Sequence, residues 1–214
     1  MDSNQLSINQ MNTIDMIYKK NYLNKIKYNK SPISNKINKI DTLRQTLMNN
    51  LTFNKLDIVE VRNSTIHGKG VFAKKDIKEN EILTFYPIDI LKLQVDNSSY
   101  IASFSNRYLS KYGFKYHDKY DIYQYGMPNG NIIIGCPDFI DNNNYIGHMI
   151  NDISIHNKTT KSIKQYKKNS KKCNCIYYNC SEFNLYVPIV STQDIKKDEE
   201  IFSSYGVQYW NNFG

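Results

Sequence analysis

Arginine is almost missing from this 214-residue chain, which has only Arg44, Arg62 and Arg107 against 25 lysines. A protein that reads nucleic-acid sequence normally carries arginine forks for phosphate and guanine. Their scarcity argues against that class and leaves only a lysine-based, electrostatic form of it. Cysteine is scarce too. Four in a chain of this length are too few for a disulfide scaffold, so a reducing, intracellular setting is expected. Long apolar runs are lacking as well: none approaches the ~20 residues that cross a bilayer. The first 30 residues mix polar and apolar positions too freely for a signal peptide.

What is present supports a folded domain. Hydrophobic residues make up 40% and aromatics 13%, and the length suits one compact domain with an additional arm. Asn and Ile occur 28 times each. With abundant Lys, this is the composition of an A+T-rich genome, so part of the net charge of +8 reflects mutational bias. That charge is unevenly placed. Residues 1–55 carry +6 and residues 158–172 carry +7 with no acid, whereas 56–157 sum to −2 and 173–214 to −3.

Organisation follows the same boundaries. Ile37, Ile40, Leu43, Leu47 and Leu51 recur at three- and four-residue steps, the spacing of one helix face. Residues 1–55 are therefore expected to form a helical arm or cap. From Leu56 onward the sequence turns to short β-like runs: Leu56–Arg62, Val71–Ala73, Ile82–Ile90, Ile132–Ile134, Ile176–Tyr178, Tyr186–Thr192 and Glu200–Ser203. Strands do not alternate with long helices, which excludes a parallel α/β sheet. The lysine run is expected to be a solvated insertion loop at 157–172. One internal similarity pairs Asp76–Ile82 with Asp194–Ile201, predicting two like hairpin corners with Asn80 and Asp198 in left-handed backbone.

Three short segments carry chemistry. Gly68-Lys69-Gly70 lets main chain approach a ligand closely. It is neither a P-loop nor a dinucleotide fingerprint, since no Ser/Thr or third Gly follows at a helix start. The others are Gly147-His148-Met149-Ile150-Asn151-Asp152 and Ser203-Ser204-Tyr205-Gly206, the latter followed by Tyr209-Trp210. Singly, each reads as a turn or as packing. In this order, with Asn174-Cys175-Ile176-Tyr177 and Glu199-Glu200-Ile201 between them, they form a set.

That set resembles the SET-domain protein-lysine methyltransferases over roughly Asp57 to Trp210, and is most similar to the short SET proteins of large DNA viruses. The resemblance implies an α+β, β-rich SET fold of short curved sheets. Its C-terminal region would be pseudoknot-like, within a domain spanning 56–214 and behind the helical arm. It also implies methyl transfer from S-adenosylmethionine to the side-chain amine of a protein lysine, with histone as the common target of the family. Gly68, Lys69, Gly70, His148, Asn151, Asp152, Tyr205 and Trp210 would bind the cofactor, Trp210 packing beside the adenine. Asp152 stands where the family usually has His, and His148 where Arg is more common. Tyr205, Tyr177 and Tyr86 would be the catalytic set: a narrow apolar channel disfavours the lysine ammonium, and the hydroxyls orient the neutral amine. Ser203 occupies a position that often sets how many methyls are added.

Cys173-x-Cys175-x4-Cys180 copies the spacing of the zinc-binding tail of the family but precedes Tyr-Gly, so no metal is expected. A zinc site completed by Cys136 or His156 is the alternative. The rival functions are a SET-fold binding module without catalysis and a Lys-rich nucleic-acid-binding protein. The expected partner is a protein or peptide lysine, with no membrane, in the nucleus or a viral factory.

Overall fold

Among the described residues, the first strand forms where β-branched residues cluster. Val59–Asn63 (β1) pairs antiparallel with Lys69–Ala73 (β2) across a turn closed by Ser64 N donating to Gly68 O at 2.7 Å. The computed structural model describes residues 56–94, 100–127, 130–154, 159–178 and 187–213. The predicted helical arm of residues 1–55 lies outside them, as do Cys180 and His156.

Three small sheets follow. The first has the order β1-β2-β11-β8, where β8 is Asn151–Asp152 and β11 is Glu200–Ser203. The second is β3-β10-β9, formed by Ile82–Tyr86, Val187–Ser191 and Cys175–Tyr177. Strands β3 and β10 are buried along their whole length, which suits their Ile, Leu, Val and Phe content. The third is β5-β4-β7-β6: Tyr100–Phe104, Ile90–Gln94, Ile132–Ile134 and Gln124–Gly126. One core joins them, built on Val59, Val71, Leu83, Ile133, Ile150 and Ile201.

The run Ile82–Ile90, read from sequence as one strand, is two. It breaks at Pro87, and Asp89 behind it is buried. Asp89 accepts from Arg107 Nε at 2.5 Å and Nη2 at 3.0 Å, and from Cys136 N at 2.8 Å, so its charge is compensated inside the protein. Arg107 belongs to a helix the sequence reading did not find, Asn106–Tyr112 (α1), whose N-terminus is capped by the Ser105 side chain.

The two corners are as expected. Asn80 and Asp198 take φ of 67° and 69°. The corners embrace: Ile77 bridges Ile195, Lys78 pairs with Asp194 at 2.7 Å, and Lys196 pairs with Asp76 at 2.9 Å. Each aspartate also accepts a backbone N–H of the other corner, from Glu79 and from Lys197.

The lysine run is not a loop. Thr160–Asn169 is a helix (α2), continued by a 3-10 turn at Ser170–Lys172. Thr159 caps it by accepting from Ser162 N at 3.2 Å. Lys161, Lys164, Lys167 and Lys168 are exposed, while Tyr166 on the opposite side is buried. This corrects the solvated-loop expectation: one aromatic residue is enough to dock the helix.

The C-terminal segment supplies the crossing. Strand β11 lies between β2, antiparallel, and β8, parallel, with Phe202 opposite Asn151 and Ser203 opposite Asp152. Asn174 pins it from a third segment. Its Nδ2 donates to Glu200 O at 2.9 Å, its Oδ1 accepts from Phe202 N at 2.8 Å, and its own N–H donates to Phe202 O at 3.2 Å. Helix Val207–Phe213 (α3) follows.

Candidate active site

The Gly68-Lys69-Gly70 turn is shaped by backbone need and by crowding. Gly68 has φ of 44°, a value side chains rarely adopt. At Gly70 a Cβ would lie 2.1 Å from Glu200 Oε1 and 2.9 Å from Asn151 Nδ2, so only hydrogen fits. Asn151 Nδ2 donates to His67 O at 3.2 Å, Lys69 O at 3.1 Å and Glu200 Oε1 at 2.9 Å. Glu200 Oε2 accepts from Ser64 Oγ at 2.9 Å. The amide of Asn151 therefore straps the turn from beneath, while Gly68 and Lys69 stay exposed on its outer side. His67 Nε2 is buried without a hydrogen-bond partner among the described residues, and its ring lies 6.4 Å from Trp210.

Asp152 is a hub. It is 1% exposed, and its Oδ2 accepts from Tyr166 OH at 2.6 Å, Tyr205 N at 2.9 Å and Trp210 Nε1 at 2.9 Å. Oδ1 accepts from Ser154 N at 3.3 Å. Four donors satisfy a carboxylate that would otherwise be costly to bury. The side chain thus faces the protein, where it fixes the backbone of Tyr205 and the plane of the indole. Trp210 in turn lies nearly parallel to the Tyr205 ring, 18° apart at 6.1 Å.

Tyr86, Tyr177 and Tyr205, named from sequence, come together from β3, β9 and the C-terminal segment. Tyr86 meets Tyr177 edge-on at 5.9 Å, and both lie close enough to Tyr205 to interact electrostatically with it. Tyr205 OH donates to Ile150 O at 2.6 Å and Tyr86 OH to Tyr123 O at 2.6 Å. Burial raises all three phenols well above their ordinary pKa, with the neighbouring tyrosines adding to the effect; at Tyr177 a hydrogen bond with Ser203 offsets part of it. Every one stays a neutral hydroxyl near pH 7.

The cluster is larger than the sequence suggested. Tyr125 stands 5.7 Å from Tyr86 and 5.2 Å from Tyr177. Tyr209 packs on Tyr205 at 4.7 Å and donates to Ile122 O at 2.9 Å. Tyr123 lies beside His148 at 6.2 Å. With 18 tyrosines in the chain, no spacing singled these out. Tyr123 ends a 3-10 helix, Asp118–Tyr123, and Tyr125 lies in the strand that follows, so a period-2 pattern does not link them.

His148 sits behind the tyrosines. It is buried, lies 6.4 Å from the Tyr86 ring, and its Nε2 is 3.1 Å from Cys136 O. That carbonyl can only accept, so Nε2 carries the proton and Nδ1 is left as a buried acceptor without a partner among the described residues. Burial lowers its pKa to about 4, so the ring is neutral at pH 7. Of the eight expected cofactor positions, the Gly68–Gly70 turn and Trp210 lie to one side, Asn151 and Asp152 brace them from inside, and Tyr205 and His148 lie among the tyrosines.

Among the described residues no group of three or more His, Cys, Asp or Glu is arranged to hold a metal. Cys175 is buried and its thiol donates to Phe202 O at 3.3 Å. Burial raises its pKa, and that of Cys173 to about 11.

Comparison with known proteins bears on the whole assembly. The SET-domain family model matches residues 68–206, which begin at the glycine turn and end at the Tyr205-Gly206 pair. Among solved structures, a crystal structure from Plasmodium falciparum named "putative histone methyltransferase" is 19% identical, over 71% of this chain and 96% of that one, at a TM-score of 0.35. No curated protein matches. The family model spans well over half of the chain: the protein belongs to the SET-domain family, whose members are typically S-adenosylmethionine-dependent protein lysine methyltransferases.

Proposed function

We propose that this protein transfers a methyl group from S-adenosylmethionine to the side-chain amine of a protein lysine. The observation that carries the reading is the gathering of the buried Tyr86, Tyr177 and Tyr205 side chains, with Trp210 stacked on Tyr205 and 6.4 Å from His67 beside the Gly68–Gly70 turn. The residues suit the cofactor. The outer backbone of Gly68 and Lys69 is open to a ligand, His67 Nε2 is a buried polar atom without a partner among the described residues, and the indole is held against Tyr205 where it can cover a heterocycle. When bound, S-adenosylmethionine supplies an electrophilic methyl on a sulfonium.

The chain supplies the rest. A lysine ammonium has no lone pair to attack with, so the channel must favour the amine. Tyr86, Tyr125, Tyr177 and Tyr205 do so by excluding water, which disfavours the charged form, and the proton leaves to solvent before the side chain is seated. Tyr86, Tyr177 and Tyr205 do not take that proton, since burial holds each in its neutral form. They orient instead. Tyr205 gives its own proton to Ile150 O and Tyr86 gives its proton to Tyr123 O, which leaves both phenol oxygens as acceptors for the amine N–H groups. That arrangement aims the nitrogen lone pair along one line.

A basic, lysine-bearing peptide fits the segments 56–157 and 173–214, which sum to −2 and −3. Histone as substrate, the nearer likeness to viral SET proteins and an intracellular setting rest on the sequence alone. Labelled S-adenosylmethionine incubated with histones, a cell extract and the protein alone identifies the acceptor. Tyr205→Phe is expected to abolish transfer and leave cofactor affinity within about threefold, because the lost group touches the amine. Equal turnover by this variant refutes the assignment. Failure of the unmodified chain to bind the cofactor at all would favour the non-catalytic binding module instead.

A further inference from the structure

The helix formed by the lysine run reaches into the machinery just described. Its outward side presents Lys161, Lys164, Lys167 and Lys168 to solvent. Tyr166, on the other side, is 2% exposed and makes three contacts through one oxygen. It donates to Asp152 Oδ2 at 2.6 Å, lies 2.9 Å from Ser204 Oγ, and accepts from Gly206 N at 2.8 Å. Asp152 Oδ2 meanwhile accepts from Tyr205 N and Trp210 Nε1. The main chain at Tyr205 and Gly206 is thereby fastened at two successive N–H groups, one by Asp152 and one by Tyr166.

We infer that Tyr166 is a positioning residue: with Asp152 it forms a latch by which the inserted helix α2 sets the placement of Tyr205 and Trp210. The role rests on the function proposed above for Tyr205, but the latch itself does not. Hydrogen bonds to a charged acceptor are the strong kind, and Oδ2 of this carboxylate is shared by three donors, so losing one shifts the other two. Burial pushes the Tyr166 hydroxyl up to about 12, so it remains a donor throughout the working pH range.

Trp210 is the only tryptophan in the chain and reports the latch directly. Tyr166→Phe keeps the ring and removes the oxygen, and Asp152→Asn keeps the shape and removes the charge. Both are expected to move the Trp210 indole N–H resonance and shift its fluorescence, while Lys164→Gln and Lys168→Gln on the outer side do neither. In methyl transfer, Tyr166→Phe should lower kcat about tenfold, the loss of roughly 1.4 kcal/mol of transition-state alignment, with KM for the peptide within about twofold. An indole resonance in Tyr166→Phe and Asp152→Asn matching that of the lysine variants overturns the latch, whatever the activity. A moved resonance with unchanged kcat overturns its catalytic consequence. If the unmodified chain transfers no methyl, the proposed function fails and the indole signal still decides the latch.

Discussion

Gly70→Ala tests whether the glycine turn is held by the strap seen beneath it. The added Cβ would stand 2.1 Å from Glu200 Oε1, and ordinary contact begins near 3.4 Å, so the carboxylate must retreat by about 1.3 Å. That distance breaks the 2.9 Å bond from Asn151 Nδ2 and strains the 2.9 Å bond from Ser64 Oγ. Two hydrogen bonds to a charged group are worth roughly 3 kcal/mol when fully desolvated. Glu200 is only partly buried and recovers some hydration, so about 2 kcal/mol of destabilisation is expected, or about 4–8 °C in Tm for a domain of this size. Cofactor affinity should fall as well, because Asn151 loses its grip on Lys69 O. The decisive measurement is a double-mutant cycle. In a Glu200→Ala background the nearer obstruction is gone and only Asn151 Nδ2, 2.9 Å from the added Cβ, still has to give, so Gly70→Ala should cost about 1 kcal/mol or less. Thermal melting followed by circular dichroism, with calorimetric titration of S-adenosylmethionine, gives both numbers. Additive losses in the double variant would refute the reasoning, since they would mean that the methyl and the carboxylate do not compete for the same space.

Two further perturbations follow from buried charge. His148 takes up its proton in the folded state only near pH 4, whereas the unfolded chain takes it up near 6.5. The unfolded state therefore binds the proton first, and stability falls as pH drops from about 6.5 to 4, by about 3 kcal/mol in all. His148→Gln should flatten that stretch of the acid-denaturation curve; an unchanged curve would show that the ring titrates normally. Arg107→Met leaves the Asp89 carboxylate buried with only Ser105 and backbone donors. A loss of about 3 kcal/mol in urea unfolding is expected, at the low end for a broken buried pair because the guanidinium is a third exposed. Adding Asp89→Asn should recover part of that loss, and failure to do so would show that charge is not the cause.

How far the sequence revealed this molecule depended on whether a feature was local. The strands at Val59–Asn63, Ile132–Ile134 and Val187–Ser191 were legible from β-branched runs, and the corners from a repeated heptapeptide with Asn80 and Asp198 at tolerant positions. Helix α2 was not, because a stretch dominated by lysine resembles a solvated loop. Its signal was Ile163 and Tyr166, three residues apart and opposite the lysines, which is a very narrow apolar stripe. In the site, Tyr86, Tyr177 and Tyr205 could be named by family order, but Tyr125 and Tyr209 join through tertiary ring contacts, from strand β6 of another sheet and from helix α3. The use of Asn151 was hidden for the same reason. Its amide reaches His67 and Lys69 only because β11 lies between β8 and β2, a registration over more than 80 residues that linear spacing does not carry.

The departure at Asp152 looks different once its donors are counted. A neutral histidine offers one acceptor nitrogen and an imidazolium none, whereas a carboxylate offers two oxygens and about four lone-pair directions. This site presents Tyr205 N, Trp210 Nε1 and Tyr166 OH to a single oxygen, and Ser154 N to the other. A histidine at 152 would leave at least two of those donors buried and unpaired, at roughly 1–3 kcal/mol each. Asp152, Tyr166 and Trp210 are therefore one matched set. The carboxylate is required because the inserted helix brings a hydroxyl and the C-terminal helix brings an indole, and the helix can dock because a carboxylate is there to receive it. In the folded protein Asp152 is what ties helix α2 to the backbone of Tyr205.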